Sequence, residues 1–425
     1  MSSLRHRALL LGCHGGAGRA LLSVLHHTEP GRRLRSSLET LVLVDREPPI
    51  HDAPPEPGVL LSPMDITCAD DLARLVREHA ITQVIDASSI DTIECIQVCD
   101  ELGADFLCAS VEEWPGRGSM PTDEAIARLL PPRRPSLARR SHLVGSGANP
   151  GIVNALVFMG LAEFGRRAGV AATADALELV SVLITEEDTT VELNGIESTD
   201  VFAMTWSPYH CLQELLEPAA FFARGGRAVS LGHPPTACWY RARCGDRVIE
   251  GMAVPHEEVA TLARRFPGVE IGFLYRIPPA ARRALAAHPD RTIPEDWETR
   301  TLCPPWTDDL RGSDRVGVLL SSRRFGELWV GFDTDVAKGL ALDTNATQLQ
   351  VAAGILAGWM QLGTIKGIHF VEDLQWREFL QVVSEVLGPP VIVYDAAARA
   401  RSLADRRVGA GAEAAAQALP DLRTR

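Results

Sequence analysis

Three glycines between an apolar run and a helical pattern are the first residues whose spacing suits chemistry. Ala8–Leu11 runs directly into Gly12-Cys-His-Gly15-Gly-Ala-Gly18, and Arg19–His27 follows. In such a loop the first glycine permits a tight turn, the second lets backbone approach a pyrophosphate, and the third lets the helix pack closely on the strand. The helix N-terminus adds free N–H groups and partial positive charge. The pattern predicts a dinucleotide site, with an ordinary glycine-rich turn as the alternative.

A carboxylate and a serine pair lie where such a cofactor needs further contacts. Asp45 ends the apolar run Leu41–Val44, where it can accept hydrogen bonds from a ribose 2′-OH, which favours NAD. Arg46 can accommodate a 2′-phosphate, so NADP stays open. The residues predicted to bind the cofactor are Gly12, Gly15, Gly16, Ala17, Gly18, Asp45, Arg46, Ala87, Ser88, Ser89, Gly147, Ala148, Asn149 and Pro150.

Two later segments also carry reactive side chains. Gly147-Ala-Asn149-Pro-Gly151 puts an asparagine at the start of a predicted helix, between glycines that let backbone approach a ligand. Further on, Thr205-Trp206-Ser207 is followed by Glu214 and by Glu217-Pro218.

Together with the glycine loop, these segments resemble the bacterial homospermidine synthases, a branch of the saccharopine dehydrogenase-like superfamily. Further similar blocks occur in the family's order, so the resemblance runs from residue 8 to about residue 395. They are Val111-Glu112-Glu-Trp114-Pro-Gly116, Thr185-Glu186-Glu-Asp188-Thr189, Val254-Pro-His256, Asp314-Arg-Val-Gly317-Val-Leu-Leu320 and Asn345-Ala-Thr347-Gln-Leu-Gln350-Val351.

The resemblance implies a redox-neutral amine exchange. Members of the family hold NAD, oxidise an amine carbon to an imine, exchange the amine and return the hydride, so that putrescine and a second polyamine give homospermidine. It also implies a homodimer. The family's active-site polar groups and tryptophan fall here on Glu112, Asn149, Glu186, Trp206, Glu214, His256 and Asp314.

Physical reasons support the acidic members of that set. Diamines are cationic at neutral pH, so carboxylates must bind them and take up protons before a C–H bond yields hydride. Glu214 and Glu186 are the candidate anchors and general bases, and Asp314 is a candidate anchor for the second amine. Clustered carboxylates raise one another's pKa, which suits proton shuttling.

The remaining members suit orientation and charge stabilisation. Trp206 offers a ring face to an ammonium or iminium group, a contact worth roughly 0.5–2 kcal/mol. Asn149 can orient the nicotinamide or the substrate, and His256 can hydrogen-bond an amine or relay protons near pH 7.

Each of these residues also has a purely structural interpretation. His256 could be a satisfied buried histidine, Trp206 a core residue, Glu112 a polar partner at a strand end, and Glu217 a helix-terminal charge. Glu186, Glu187 and Asp188 could form a solvated loop, and Asp314 lies in an expected charged turn, Asp308–Arg315.

Departures from the family pattern leave the substrate open. Leu274-Tyr-Arg-Ile-Pro-Pro-Ala280 stands roughly where the family has Tyr-His-Pro-Cys-Asn-Asp, so polar groups there are replaced by apolar ones, and Met204 replaces an asparagine. The glycine loop is GxxGxxG rather than GxGxxG. Another amine or amino acid could be the substrate. The alternatives are an NAD(P)-dependent saccharopine or carboxyspermidine-type dehydrogenase and a non-catalytic NAD-binding relative.

The elements that must position these residues follow from the chain's apolar pattern. Short strands alternate with helices up to Asn149, which indicates a Rossmann-type, doubly wound parallel sheet. Beyond residue 175 strands joined by turns predict an α+β domain with a largely antiparallel sheet, including a hairpin of Val316–Ser321 and Gly326–Phe332. The expected division is an NAD-binding domain, 1–148 completed by 338–425, and a substrate and dimerisation domain, 149–337. The helix Leu349–Leu362 is expected to pack on the first sheet, and 396–425 to be a frayed helix or disordered.

Composition limits the class of partner and the compartment. The 425-residue chain has a formal net charge of −13, which argues against nucleic acid and anionic membranes and weakly favours small cationic partners. No apolar run reaches the roughly 18 residues of a membrane span. The nine cysteines form no CxxC pair, and Cys95 and Cys99 have no histidine cluster beside them, so reduced thiols in the cytoplasm are expected and no metal site.

Overall fold

The computed structural model describes residues 5–46, 58–114, 120–131, 133–195, 198–307 and 309–410. Pro115-Gly116, Asp308 and residues 411–425 of the predicted tail lie outside the described residues. The chain divides into two compact units. The first comprises Met1–Ala155, Leu342–Thr344 and Gln348–Gly388, and the second Leu156–Ala341, Asn345–Thr347 and Pro389–Arg425.

Helices and strands alternate along the N-terminal part. The elements are β1 (His6–Leu11), α1 (Gly16–His27), α2 (Glu29–Ser37), β2 (Leu38–Asp45), β3 (Val59–Pro63), α3 (Ala69–Glu78), β4 (Gln83–Asp86), α4 (Thr92–Leu102), β5 (Asp105–Cys108), α5 (Thr122–Ala127), β6 (Ser141–Val144) and α6 (Ile152–Ala168).

Strands predominate in the middle of the chain. They and their helices are β7 (Leu179–Asp188), β8 (Val191–Glu192), β9 (Val201–Met204), α7 (Pro208–Leu215), β10 (Phe221–Arg224), β11 (Arg227–Ser230), β12 (Cys238–Cys244), β13 (Arg247–Ala253), α8 (Glu257–Arg265), β14 (Glu270–Arg276), α9 (Pro279–Ala287), β15 (Glu298–Thr301), β16 (Leu310–Arg311), β17 (Ser313–Ser322), β18 (Gly326–Asp335) and α10 (Val336–Leu340). The C-terminal elements are α11 (Ala346–Gln361), β19 (Gly367–Phe370), α12 (Trp376–Leu387), β20 (Val391–Asp395) and β21 (Arg407–Ala410).

The first unit is built on a seven-stranded parallel sheet in the order β19-β6-β5-β4-β1-β2-β3. Its central strands are continuous apolar runs because both faces of a parallel sheet are buried under helices. Helix α11 packs on this sheet, as predicted: Trp359 Nε1 donates to Gln83 Oε1 of β4 at 2.9 Å. A Cβ on Gly354 of α11 would lie 1.9 Å from the Gly147 carbonyl, so this contact requires glycine.

The second unit is built on a ten-stranded sheet whose main path is β20-β18-β17-β7-β14-β13-β12-β21. Strands β7 and β14 pair in parallel and the other pairs are antiparallel, which confirms the predicted largely antiparallel second sheet. The predicted hairpin is β17–β18.

One alternative interpretation of the sequence and two expectations were wrong. Glu186–Asp188 is not a solvated loop, because β7 continues to Asp188 between two partner strands. Asp314 is not in a charged turn but in β17, fully buried opposite Asp188. Within the predicted frayed tail, residues 407–410 form β21 and pair with β12. In each case pairing with distant strands overrides local charge or alanine content.

Within the described part of the chain no helix has the length and apolar character needed to span a membrane. All nine cysteines are free thiols.

Candidate active site

The glycine loop joins β1 to α1, and the space around the backbone differs at each of its glycines. Gly12 has φ +71°, and a Cβ there would lie 2.5 Å from the Ala87 carbonyl oxygen. A Cβ on Gly18 would lie 2.1 Å from the Gly12 oxygen, so α1 could not sit this close to the loop. Around Gly15 only the Gly12 oxygen comes near, at 3.4 Å, and no side chain caps the helix there. The loop therefore leaves room for a phosphate group beside its middle glycine, whereas at Gly16 the Gln348 side chain lies so close that a Cβ would be 2.7 Å from its Nε2.

The other residues predicted to bind cofactor follow the carboxyl ends of neighbouring strands. Asp45 ends β2, and its Oδ2 accepts the His14 backbone N–H at 2.8 Å, which holds the carboxylate beside the loop. Arg46 is exposed. The segment Ala87, Ser88, Ser89 follows β4. Because all these strands are parallel, their carboxyl ends share one edge of the sheet, where ligands bind in such folds.

A buried aspartate lies at that edge and was not predicted. Asp86 Oδ1 accepts the Ser88 backbone N–H at 2.9 Å and the Ser88 hydroxyl at 2.6 Å. Burial raises the pKa of Asp86 to about 7, with a smaller contribution from the charge of Glu112. Glu112, which follows β5, accepts the Ser110 hydroxyl at 2.8 Å, so this predicted site residue lies near the same edge.

Asn149 lies in a tight loop after β6. The Gly147 N–H donates to the Pro150 carbonyl at 2.8 Å, and Gly151, at φ +131°, would carry a Cβ only 2.2 Å from the Gly147 oxygen. Ala148 and Pro150 are buried, whereas Asn149 is partly exposed. The loop thus presents the asparagine side chain at the same carboxyl edge of the first unit's sheet.

In the second unit, β7 and its two neighbours bring buried acids to one face of the sheet. Side chains two residues apart on a strand share a face, so Glu186 and Asp188 point the same way. Tyr275 of β14 is the register partner of Glu186, and Asp314 of β17 is the register partner of Asp188. Glu186 is 3% exposed, Asp188 1% and Asp314 0%.

The electrostatics of this face favour protonated carboxyls. Burial raises the pKa of Asp188. Burial also raises the pKa of Asp314 well above its usual range, and the charges of Glu186 and Asp188 add to that rise. Glu187 lies on the opposite face with its own cations, 3.5 Å from Arg247 and 3.7 Å from Arg276.

Trp206 is fixed by a tyrosine that the sequence analysis missed. The indole Nε1 donates to the Tyr275 hydroxyl at 3.3 Å, and Trp206 is half-buried. Just beyond it the Ser207 side chain accepts the His210 backbone N–H and caps α7. The segment Leu274–Ala280 therefore keeps a polar group at the site, contrary to the expectation of apolar replacement. An aromatic residue on the site face of a strand that follows His256 was the available signal.

A second cluster surrounds His256. Its Nε2 lies 3.9 Å from Glu214 Oε1, and its Nδ1 lies 3.4 Å from Glu257 and hydrogen-bonds Glu258. Burial alone would lower the pKa of His256, but the carboxylates of Glu258 and Glu214 outweigh it and hold the pKa well above the usual range. The ring also packs edge-on against Phe273, with centroids 4.9 Å apart.

The carboxyl of Glu214 in this cluster has a shifted pKa. Burial raises its pKa well above the usual range; the charge of His256 opposes the rise, and those of Glu257, Glu217 and Glu258 add to it. A partly buried carboxyl beside an imidazole and other carboxylates is suited to exchanging a proton with a bound amine.

The predicted residues thus fall into two sets, each held by its own unit. The first unit brings together the glycine loop, Asp45, Ala87, Ser88, Ser89, Gly147, Ala148, Asn149, Pro150 and Glu112. The second unit brings together Glu186, Trp206 and Asp314 on one sheet face, and Glu214 with His256.

Comparison with known proteins agrees with this architecture. No family model matches the chain. The saccharopine dehydrogenase (L-Glu forming) of Saccharomyces cerevisiae has a TM-score of 0.56 at 12% identity, covering 91% of this chain and 100% of that one.

The resemblance to homospermidine synthase is confirmed. The chain is 27% identical to the homospermidine synthase of Blastochloris viridis over 360 residues, 73% of this chain and 74% of that protein. The crystal structure of the homospermidine synthase of Legionella pneumophila in complex with NAD has a TM-score of 0.76 at 20% identity, covering 92% of each chain.

Proposed function

We propose that this chain is an NAD-dependent enzyme of the homospermidine synthase type, a transferase that exchanges amines through an imine without net oxidation. The observation that carries the proposal is the acidic face of Glu186, Asp188 and Asp314 beside Trp206, in a chain similar to a homospermidine synthase over 73% of its length. Putrescine or a related polyamine is the proposed substrate.

The residues of the first unit fit NAD. The space around Gly15 and the uncapped start of α1 suit a pyrophosphate, and Asp45 ends β2 where a ribose hydroxyl would be bound. Bound NAD would supply a hydride acceptor for the amine carbon and, once reduced, a hydride donor for the new imine. Gly147–Pro150 presents Asn149 at the same sheet edge, where it would orient the cofactor or the substrate.

The residues of the second unit suit a cation. An ammonium placed beside the buried carboxyls of Asp188 and Asp314 lowers their pKa, so binding would favour the ionised forms of these two residues. The Trp206 ring would stabilise positive charge on the substrate, its plane fixed by the bond to Tyr275. Glu214, beside His256, would take the proton that an ammonium must lose before its C–H bond yields hydride.

The dehydrogenase alternative needs an arginine that recognises a substrate carboxylate. The arginine next to Tyr275 in sequence is Arg276, which points to the other face of the sheet and lies 3.7 Å from Glu187. The arrangement of charges therefore favours a cationic amine over an amino acid.

Product analysis tests the proposal. Purified protein is incubated with putrescine and catalytic NAD, and the products are analysed by mass spectrometry. Homospermidine without accumulation of NADH is expected. Consumption of NADPH only when a carbonyl compound is added would contradict the proposal and favour the dehydrogenase.

We also propose a compartment, a metabolic role and an oligomeric state for the protein. The free cysteines and the similarity to a homospermidine synthase support a cytoplasmic enzyme of polyamine biosynthesis. The resemblance also implies a homodimer, and sedimentation equilibrium of the purified protein would test that.

A further inference from the structure

Four oxygen atoms form an unbroken hydrogen-bonded chain inside the second unit. Asp188 Oδ2 lies 2.6 Å from Thr205 Oγ1, which lies 3.0 Å from Thr347 Oγ1, which lies 2.7 Å from Asp314 Oδ2. Neither threonine was predicted as a site residue. The chain begins on the face that carries Glu186, so it adjoins the proposed amine site.

The two threonine hydroxyls supply too few protons for the three hydrogen bonds of this chain. Each threonine hydroxyl has one proton to donate, and an ionised carboxylate has none. Thr205 donates its proton to Asp188, so Thr347 has one proton for two neighbours, the Thr205 hydroxyl and Asp314. Three contacts need three protons. The third must be a carboxyl proton, carried by Asp314 or, with every bond reversed, by Asp188.

The surroundings hold this chain in place and keep water out. Asp314 and Thr205 are fully buried, and Asp188 and Thr347 nearly so. Asn345 Nδ2 donates to the carbonyls of Thr205 and Leu302, at 2.6 and 2.7 Å, which fixes the middle of the chain.

The charges that face the two carboxyls are also acidic. They come from Glu186 on β7 and Asp333 on β18, with the neutral hydroxyl of Tyr275 on β14. Burial raises the pKa of both Asp188 and Asp314, which agrees with one carboxyl being protonated at neutral pH.

We propose that Asp188, Thr205, Thr347 and Asp314 form a proton relay that stores one shared proton and passes it between the two carboxyls while amines are exchanged. The proposal deepens the proposed function and rests on it for its role in turnover. The storage of the proton rests on geometry alone and can be tested without substrate.

The relay balances the proton changes of an amine exchange. An incoming ammonium gives one proton to the ionised carboxylate, and the lone pair freed on its nitrogen forms a C–N bond to the carbon of the neutral imine while the C=N pair moves onto the imine nitrogen. That nitrogen then takes a second proton from the incoming nitrogen and one from the other carboxyl. The old C–N bond breaks with its electron pair on the departing amine, and the lone pair of the incoming nitrogen forms the new C=N bond. Each proton in the chain then shifts by one link, and the relay again holds one shared proton. The pair of carboxyls takes up one proton and releases one.

Infrared difference spectroscopy tests the stored proton directly. In Asp314→Asn the side-chain amide can donate to Thr347, so the chain of bonds survives without a carboxyl proton. The spectrum of the wild type minus that of the variant, at neutral pH and without substrate, should contain the C=O stretch of a protonated carboxyl. If only ionised carboxylate bands are lost, both in this variant and in Asp188→Asn, neither carboxyl holds the proton and the relay is wrong, whatever the enzyme's activity.

A matched pair of variants at Thr347 tests the role in turnover. Thr347→Val removes the hydroxyl at nearly constant shape, and Thr347→Ser keeps it. The valine variant should lose about 10- to 100-fold in kcat, with the KM for putrescine changed less than about threefold, whereas the serine variant stays within about threefold in both. The solvent isotope effect on kcat should change in the valine variant only.

The outcomes separate the relay from the proposed function. Equal kinetics of the valine and serine variants, with an unchanged solvent isotope effect, would overturn the role in turnover. Absence of homospermidine with the wild type would overturn the proposed function, and the infrared result would still decide whether the proton is stored. If the valine variant fails to fold, Thr205→Val against Thr205→Ser gives the same comparison at the next link.

Discussion

At the scale of single residues, the site is defined by acids that are fully or partly buried, where water stabilises their charge less than in solution. Burial raises the pKa of Glu214 and Asp314, and for His256 nearby carboxylates outweigh burial and raise the pKa as well. Groups whose pKa is shifted in this way are suited to exchanging protons with a substrate. A cationic amine is the ligand whose arrival changes these equilibria most.

Glu214→Gln tests the proposed general base. The amide keeps the shape but cannot take a proton, so kcat should fall by about 10²- to 10⁴-fold while NAD binding stays unchanged. Turnover is followed by homospermidine formation and cofactor binding by fluorescence titration. Glu217→Gln is the comparison and should lower kcat far less, because the charge of Glu217 only adds to the raised pKa of Glu214. Persistent turnover in Glu214→Gln would assign the base elsewhere.

Tyr275→Phe tests the residue that fixes Trp206. Loss of the hydroxyl frees the indole and leaves its N–H without this acceptor, which should lower kcat/KM about 10-fold or more. The matched control is Tyr240→Phe, which removes a hydroxyl bonded to His233 at 3.0 Å, in the same sheet. If the two variants lose activity equally, the loss comes from a general change in packing, and a specific role of Tyr275 in positioning Trp206 is contradicted.

Asp86→Asn gives a pH-dependent change in stability. The folded protein binds a proton at Asp86 up to about pH 7, whereas the unfolded chain releases it near 3.8, so Asp86 makes the folded state less stable as pH rises between these values. The free energy of unfolding of the variant, relative to that of the wild type, should rise by up to about 4 kcal/mol between these two pH values and should not rise further above pH 7. Chemical denaturation at several pH values measures the difference. A difference that is flat with pH would contradict the assignment.

At the scale of elements, the two sheets position the site by different rules. In the first unit, parallel strands bring Asp45, Asp86 and Glu112 to one edge because each follows a carboxyl end. In the second unit the strand register positions the acids, because Asp188 lies opposite Asp314 only in the observed pairing of β7 with β17. A slip of one residue would turn those acids to the other face.

Matched alanine substitutions separate fold from binding in the glycine loop. Gly18→Ala should destabilise the protein by about 1–3 kcal/mol, because its Cβ would meet backbone 2.1 Å away. Gly15→Ala has room for its Cβ and a φ of −67°, so stability should change by less than about 1 kcal/mol while the Kd for NAD rises about 10-fold or more. Thermal melts and NAD titrations measure both. Unchanged NAD affinity in Gly15→Ala would place the pyrophosphate elsewhere.

The sequence predicts the elements whose signals are local. The apolar strands β1, β2, β4 and β6 and the glycine loop follow from short patterns, and so does the hairpin β17–β18. The strand character of Glu186–Asp188 does not, because acidic side chains disfavour strands unless neighbours pair with them. Likewise, Trp206 meets a tyrosine 69 positions away, and Thr347 meets Asp314 33 positions away. Such contacts arise from tertiary structure alone.

At the scale of the whole molecule, the structure shows where part of the net charge of −13 is located. Most acidic residues are ordinary surface charge, whereas Glu186, Asp188 and Asp314 are buried on one sheet face of the second unit. Two units with separate tasks, a parallel sheet suited to a dinucleotide and a mixed sheet with buried acids, fit an enzyme that transfers a hydride away from a cation and back again.

The return of the hydride to the product is the central claim, and isotope retention measures it most directly. The protein is given putrescine fully deuterated on the carbons next to nitrogen, with NAD and an added pool of unlabelled NADH. We expect homospermidine that keeps all its deuterium, because the hydride never leaves the enzyme. Homospermidine that has exchanged deuterium for hydrogen from the NADH pool, or no homospermidine at all, would contradict it.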